Sequence, residues 1–200
     1  MPVVAVPVER VERWVENFGS RHGEVSLAVA GGCLTGAAAD GSTFRARLPF
    51  SGTYEGVADP SAFAAACVPP EQWALLLVRK GGFGVARMRG PAIEEHKIGQ
   101  RHVQGRTKAG GQSQQRFARR RDNQARAAYA AAAEHAARLL RPGPVVVGGD
   151  RVAVAEVLED RRLHGLQVVG EWIDGPDPRR RVLDEAVVQA CAARVEVENA

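Results

Sequence analysis

The sequence predicts an α/β fold in which a single mixed β-sheet is flanked by helices. Three patterns lead to this prediction: an antiparallel strand meander from residue 73, a long helical pattern near residue 125, and alternating strands and helices after residue 144. Strands that alternate with helices pair in parallel, whereas the strands of the meander are antiparallel. A single sheet that contains both is therefore mixed. A chain of 200 residues can form one domain with a substantial core.

The sequence pattern of the first third of the chain predicts too few strands to form a separate sheet. Residues 1–70 are therefore interpreted as an N-terminal part, of uncertain role, of a single domain over residues 1–200. Apolar spacing and the proline before Ser61 support the helices. The elements expected here are a helix over 8–18, strands over 24–30 and 42–48, and a helix over 61–67.

The remainder, residues 71–195, is predicted to be the functional core. A loop over residues 105–112 separates the meander from the long helix, which is rich in alanine, a strong helix former. Pro142 and Pro144 end this helix. The expected strands are 73–79, 83–89, 92–104, 145–147 and 166–173, and the expected helices are 113–140, 153–163 and 181–194.

Positive charge is concentrated in one segment of the chain. The whole sequence carries a net charge of +4, whereas residues 97–126 hold nine cations and one anion, Asp122, which leaves −4 for the other residues. Such a segment on an acidic body is typical of nucleic-acid binding. The alternative is a solvated helix face, but acidic partners at helical spacing are almost absent.

The composition argues against several classes of protein. No apolar run reaches the ~18 residues of a membrane span, and a signal peptide is not expected. Cys33, Cys67 and Cys191 match neither a disulfide framework nor a zinc site, so a cytoplasmic protein with buried thiols is expected. No metal set or phosphate-binding loop is found, and Gly148-Gly149-Asp150 lacks the third glycine of a dinucleotide motif.

Gly110, Gly111 and Gln112 form the most informative motif. Two glycines leave a backbone without side chains that can enter a crowded cavity. The glutamine amide donates and accepts hydrogen bonds but does not titrate. The flanks are cationic, so the motif suits a site within RNA. In contrast, His96 and His102 are interpreted mainly as surface or RNA-contacting residues, and Glu94 and Glu95 as surface residues on opposite faces of a strand.

The motif and the residues after it resemble the central domain of the eukaryotic and archaeal peptide chain release factors. The matching residues are Gly110-Gly111-Gln112-Ser113, Arg116-Phe117-Ala118-Arg119 and Arg121. The hairpin WALLLVRKGGFGVARMRG also resembles the release-factor-like domain of the Vms-type ribosome quality-control proteins. Together these resemblances cover roughly residues 73–191. They imply a release-factor central-domain-like fold in which the glycine loop leads into the long helix.

The resemblance implies hydrolysis of the ester that joins a nascent peptide to tRNA. Gln112 would order the water, a backbone N–H near it would stabilise the leaving oxygen, and Gly110 and Gly111 would allow close approach. No cofactor is required. The implied partners are large-subunit rRNA and peptidyl-tRNA, with a monomer off the ribosome. The cations expected to contact RNA are Arg101, Arg106, Lys108, Arg116, Arg119, Arg120, Arg121 and Arg126.

Three functions remain open at this point. The first is a codon-independent peptidyl-tRNA hydrolase, since 200 residues leave no room for the codon-reading domains of the classical factors. The second is a Vms-type endonuclease that cuts the 3′ end of tRNA. The third is a noncatalytic ribosome- or RNA-binding module. Vms-type loops tend to separate the glycines from the glutamine, so the adjacent Gly111 and Gln112 favour the hydrolase.

Overall fold

The computed structural model describes residues 3–100 and 112–200 of the chain. For residues 112–124 it describes the backbone only. The α-helices are Val11–His22 (α1), Pro60–Ala66 (α2), Gln112–Leu139 (α3), Arg151–Leu158 (α4) and Arg180–Cys191 (α5). The strands are Val3–Val6 (β1), Val25–Ala30 (β2), Cys33–Ala38 (β3), Thr43–Arg47 (β4), Gln72–Arg79 (β5), Gly82–Arg89 (β6), Ala92–Gln100 (β7), Gly143–Gly149 (β8), Leu166–Val168 (β9) and Ala193–Glu198 (β10).

The α/β class is confirmed, but the prediction of one sheet is wrong. The described residues form two five-stranded sheets, with the strand orders β1-β10-β4-β3-β2 and β7-β6-β5-β8-β9. The second sheet is mixed, as expected: β5, β6 and β7 are antiparallel neighbours, and β5, β8 and β9 are parallel. The first sheet is antiparallel and is completed by β10, whose first two residues were predicted to end the helix over 181–194 and whose other residues were not predicted to form an element.

The chain forms two compact units, residues 1–69 with 187–200 and residues 70–186. The strands of the first third are therefore not too few for a sheet, because the chain returns at its C-terminus to add β10 between β1 and β4. That residues 1–200 act as one domain stays a prediction.

The first unit packs α1 and α2 against its sheet. Trp14 and Phe18 of α1 surround the ring of Phe44 on β4, with ring centroids 5.2 Å apart in both edge-to-face pairs. That ring lies across Gly36 on β3, where a Cβ would overlap it. A short 3₁₀ turn precedes α1, so the predicted helix over 8–18 is found as two pieces.

The second unit covers both faces of its mixed sheet with helices. On one face, apolar side chains of β5, β6 and β8 form a core with α3 and α4. On the other face, Leu183 of α5 and Pro178 pack over Gly84, where a Cβ would lie 3.3 Å from each of them. The space that this glycine leaves lets the chain before and within α5 approach the sheet closely.

Helix α3 contacts the sheet through small side chains. The residues on its buried stripe recur every three or four positions, as expected for one face of a helix. Most of them are alanines, so the helix axis can lie close to β6. The buried side chains of this stripe are Ala128, Tyr129, Ala132, Ala133, Ala136 and Leu139.

Candidate functional site

The predicted site residues fall mostly outside the fully described part of the chain. Gln112 is the first residue of α3, and its side chain is not described. Arg116, Arg119, Arg120 and Arg121 belong to the α3 backbone, again without described side chains. The residues that lie outside the described ranges altogether are Arg101, His102, Arg106, Lys108, Gly110 and Gly111.

Arg126 is the one predicted RNA-binding residue whose side chain the structure describes. It is exposed, and so are Ala130, Glu134 and Arg138 at steps of four residues along α3. These residues define the solvent face of the helix, opposite the buried alanine stripe. Arg119 precedes Arg126 by seven residues, so the two Cα atoms are only about 20° apart around the helix axis.

The structure describes the two elements between which the predicted loop lies in the sequence. β7, which leads toward the motif, is an edge strand, and among described residues it pairs only with β6. α3, which follows the motif, packs on β6 and β7. Residues 112–124 precede the first described side chain of α3 that packs against the core, Ala125. At 1.5 Å per residue, this part of the helix is about 20 Å long.

Arg87 on β6 joins the beginning of β7 to the end of α3. Its Nε lies 2.8 Å from Glu94 Oε2 and its Nη2 lies 3.1 Å from Glu95 Oε2. Its Nη1 donates to the carbonyl oxygen of Leu139 at 3.4 Å. Arg87 therefore bonds to both elements that flank the motif.

Glu94 and Glu95 are exposed, as expected for surface residues, but the prediction that they point to opposite faces of the strand is wrong. The β6–β7 register shifts between Arg87 and Met88, a bulge that leaves Glu94 as the extra residue of β7. Both carboxylates consequently reach Arg87. Hydrogen bonds from Arg87 and then from Arg89 lower the pKa of Glu94 below its ordinary value, so it stays ionised at neutral pH.

Phe83 on β6 lies between β7 and α3 near the point where the described part of β7 ends. It is directly opposite Gly99 in the β6–β7 register, and a Cβ at Gly99 would overlap its ring. The same ring stacks on His135 of α3, with centroids 5.4 Å apart and an interplanar angle of 28°. Sequence patterns do not identify this stack, although a glycine in an otherwise polar strand is a signal of close approach.

His96 lies on the other side of the sheet from α3. It faces Ala86 across β6 and β7, and its Nε2 is 3.4 Å from Nη1 of Arg180. Arg180 also donates to Asp184 one turn further along α5. His96 is thus associated with α5, and the described geometry does not bring it to the solvent face of α3.

Gly148, Gly149 and Asp150 have a structural role. A Cβ at Gly148 would overlap the backbone oxygen of Ile173, and one at Gly149 would overlap that of Val78. Asp150 Oδ1 accepts hydrogen bonds from the backbone N–H groups of Val152 and Ala153. The amides at the start of α4 are therefore occupied by this cap, as in ordinary helix N-termini.

Cys67 and Cys191 are not activated as nucleophiles. All three are free, and burial raises the pKa of both Cys67 and Cys191 to about 11, so these two thiols stay protonated at neutral pH. Among the residues with described positions, no group of three His, Cys, Asp or Glu side chains could hold a metal ion. Within the same residues, no helix is long and apolar enough to cross a membrane.

In the sequence, Gly110 and Gly111 lie between the edge strand β7 and the helix α3. Residues 71–196 match the Actinobacteria/chloroflexi VLRF1 release factor family, which is more than half of the chain. The chain therefore belongs to this family of release factors, and membership implies interaction with the ribosome. No curated protein matches the chain significantly. Residues 1–70 lie outside the family match.

Proposed function

We propose that this protein is a codon-independent peptidyl-tRNA hydrolase that releases nascent chains from stalled or split ribosomes in the cytoplasm. The observation that carries the proposal is the family match over residues 71–196, because that range contains Gly110, Gly111 and Gln112 together with β7 and α3. The finer resemblance to eukaryotic and archaeal release factors supplies the reaction, which is water attack on the ester of peptidyl-tRNA.

Gln112 is proposed to be the catalytic residue. Its neutral carboxamide orders the attacking water, and a charged group in its place would be costly to desolvate among phosphates. A backbone N–H near Gln112 stabilises the leaving oxygen as negative charge develops. Gly110 and Gly111 allow the backbone to approach the ester. No cofactor or metal takes part.

The cations of residues 101–126 are proposed to hold the protein on large-subunit rRNA and tRNA. The exposure of Arg126 supports this role, since a solvent-facing guanidinium can meet a phosphate without moving other groups. Arg119 shares the same side of α3 by its position on the helix. The remaining proposed contacts are Arg101, Arg106, Lys108, Arg116, Arg120 and Arg121. Off the ribosome the protein is proposed to be a monomer.

The second candidate is a Vms-type endonuclease that frees the peptide with a few tRNA nucleotides attached. It is favoured by the hairpin of β5 and β6, whose sequence resembles that of the Vms-type proteins. The adjacent Gly111 and Gln112 favour ester hydrolysis instead. A noncatalytic RNA-binding protein would give neither product.

The three functions differ in the product formed from peptidyl-tRNA on purified large subunits. We expect free peptide and intact tRNA, at rates that do not depend on the codon when whole ribosomes are used. Gln112→Ala is expected to slow release at least tenfold, because the loss of one oriented polar group typically costs about 10²–10³ in rate. Gln167→Ala, at an exposed position of β9, is the matched control.

Each other outcome identifies a different function. Shortened tRNA attached to the peptide indicates the endonuclease. Ribosome binding without either product indicates the noncatalytic protein. Release by Gln112→Ala at the rate of Gln167→Ala would contradict the catalytic role of Gln112.

A further inference from the structure

Phe83 contacts both elements that lead to the catalytic motif. Its ring covers Gly99 on β7 and stacks on His135 of α3, while the residue itself is only 5% exposed. A ring packed across a glycine on a neighbouring edge strand is a known way of holding such a strand in place. Gly99 stands two positions before residue 101, where the predicted cationic approach to the motif begins.

The ring of Phe83 has little freedom to move. β6, which carries it, is hydrogen bonded on both sides, to β5 and to β7. The ring belongs to the core formed with Val85 and with Ala132 and Ala136 of α3. A side chain at position 99 would therefore push β7 outward or press, through the ring, on His135. Either movement changes the position of β7 relative to α3.

A small change in the direction of α3 at this stack becomes a larger displacement at the first residue of the helix. His135 lies 23 residues after Gln112 in one continuous helix, a separation of about 35 Å along the axis. A tilt of about 5° at His135 would move the first residue of the helix by about 3 Å. Misplacement of a reacting group by about 1 Å can cost about 100-fold in rate.

We infer that Phe83, Gly99 and His135 are positioning residues that set the direction in which β7 and α3 deliver Gln112 to the ester. This inference rests on the proposed function for its effect on rate. The effect on the placement of β7 and α3 follows from the geometry of the stack and does not require that function.

The first experiment uses the substitution Gly99→Ala in the full chain. The expected result is a kcat for peptide release about tenfold lower, with KM within about twofold of the wild type, because binding through the arginines is preserved. The matched control is Gly175→Ala, where the added Cβ would meet only Val182 Cγ1 at 3.8 Å. In Phe83→Leu the ring is absent and the new Cβ has space, so adding Gly99→Ala to Phe83→Leu is expected to change kcat by less than about twofold.

Substitutions at His135 test the other side of the stack. His135→Phe keeps an aromatic ring against Phe83 and is expected to retain kcat within about threefold. His135→Ala removes the ring and is expected to lower kcat about tenfold at unchanged KM. His164→Ala, at an exposed histidine, is the control for loss of an imidazole. Thermal unfolding of every variant gives the folded fraction at the assay temperature.

The outcomes separate positioning from simple packing. A wild-type kcat in Gly99→Ala, a loss equal to the unfolded fraction, or a further loss of about tenfold when Gly99→Ala is added to Phe83→Leu would overturn the inference. If wild type releases no free peptide, the proposed function fails, and if wild type and Gln112→Ala release it equally, the catalytic role of Gln112 fails; in either case amide NMR shifts decide on the stack alone. Shift changes over residues 112–124 of α3 in Gly99→Ala that are absent when the same substitution is added to Phe83→Leu support the inference, and unchanged shifts overturn it.

Discussion

The guanidinium of Arg87 on β6 lies 3.4 Å from the carbonyl oxygen of Leu139 in the last turn of α3. The same group binds Glu94 and Glu95 at the beginning of β7. Carbonyls at a helix C-terminus lack partners within the helix, and a cation there is favourable. Arg87 thus holds the ends of β7 and α3 that are distant from the motif, while Phe83 contacts both elements nearer to it.

Replacement of Arg87 by glutamine is expected to lower the free energy of unfolding by about 1–3 kcal/mol. Its side chain is 25% exposed, and charge-assisted hydrogen bonds of partly buried groups contribute about that much. Urea denaturation measures the change. Arg89→Gln is the control, since Arg89 is 59% exposed and binds only Glu94 of the same pair, so a smaller loss is expected. Equal losses in the two variants would contradict the special role of Arg87.

The carboxyl group of Asp160 is expected to make stability depend on pH at the acidic end. Hydrogen bonds from the side chain and then the backbone N–H of Arg162 lower the pKa of Asp160 from 3.8 to about 2. Because the folded pKa is the lower one, this stabilisation is present above about pH 4 and is lost as the pH falls toward 2. NMR titration of the side-chain carboxyl should show a midpoint near 2.

The control for this pH dependence is Asp160→Asn, which keeps an oxygen that can accept from the backbone N–H of Arg162. The difference in stability between wild type and this variant should shrink as the pH falls below about 4. A difference that stays constant between pH 6 and pH 3, or a titration midpoint near 4, would contradict the assignment.

Local patterns predicted the second sheet better than the first. β5, β6 and β8 have apolar runs bounded by glycine or proline, and the strands of the meander β5, β6 and β7 pair with neighbours that are close in sequence. Residues 195–198 of β10 alternate valine and glutamate, which is a strand signal, but the run is short and directly follows a helical pattern. Its partner β4 is distant in the chain, as the hydrogen bond between Arg47 and Glu196 illustrates. Tertiary pairing decides the structure of such a segment.

The motif of the candidate site stays a prediction from residue identity, and the contacts of the elements around it could not be predicted. Gly110, Gly111 and Gln112 stand out because residue identity alone carries their chemistry. The bulge at Glu94 depends on how β6 and β7 align, and no local pattern specifies that alignment. The contact of Phe83 with His135 joins residues 52 positions apart, and it becomes visible only when α3 is placed on the sheet.

The alanine stripe of α3 is expected to tolerate no larger side chain. Ala132 is fully buried between the helix and the sheet, so Ala132→Leu forces the two apart. Overpacking of this kind costs about 1–3 kcal/mol, measured by urea denaturation. Ala130→Leu, on the exposed side of the same helix, should change stability by less than about 0.5 kcal/mol. Comparable losses at the two positions would show that α3 does not rest on the sheet through this stripe.

Reversal of charge at Arg119 and Arg120 is expected to weaken binding to the large ribosomal subunit in a salt-dependent manner. Each phosphate contact that is lost should reduce the slope of log K against log[salt] by about one, because fewer counterions are released on binding. Binding of the double variant Arg119→Glu/Arg120→Glu is measured at several salt concentrations and compared with Arg181→Glu, whose side chain on α5 is 86% exposed. If Arg181→Glu lowers the affinity and the salt slope as much as the double variant does, the ribosome does not bind preferentially along α3. If only the α3 variant changes, the cations that follow the glycine–glutamine motif guide it to the ribosome.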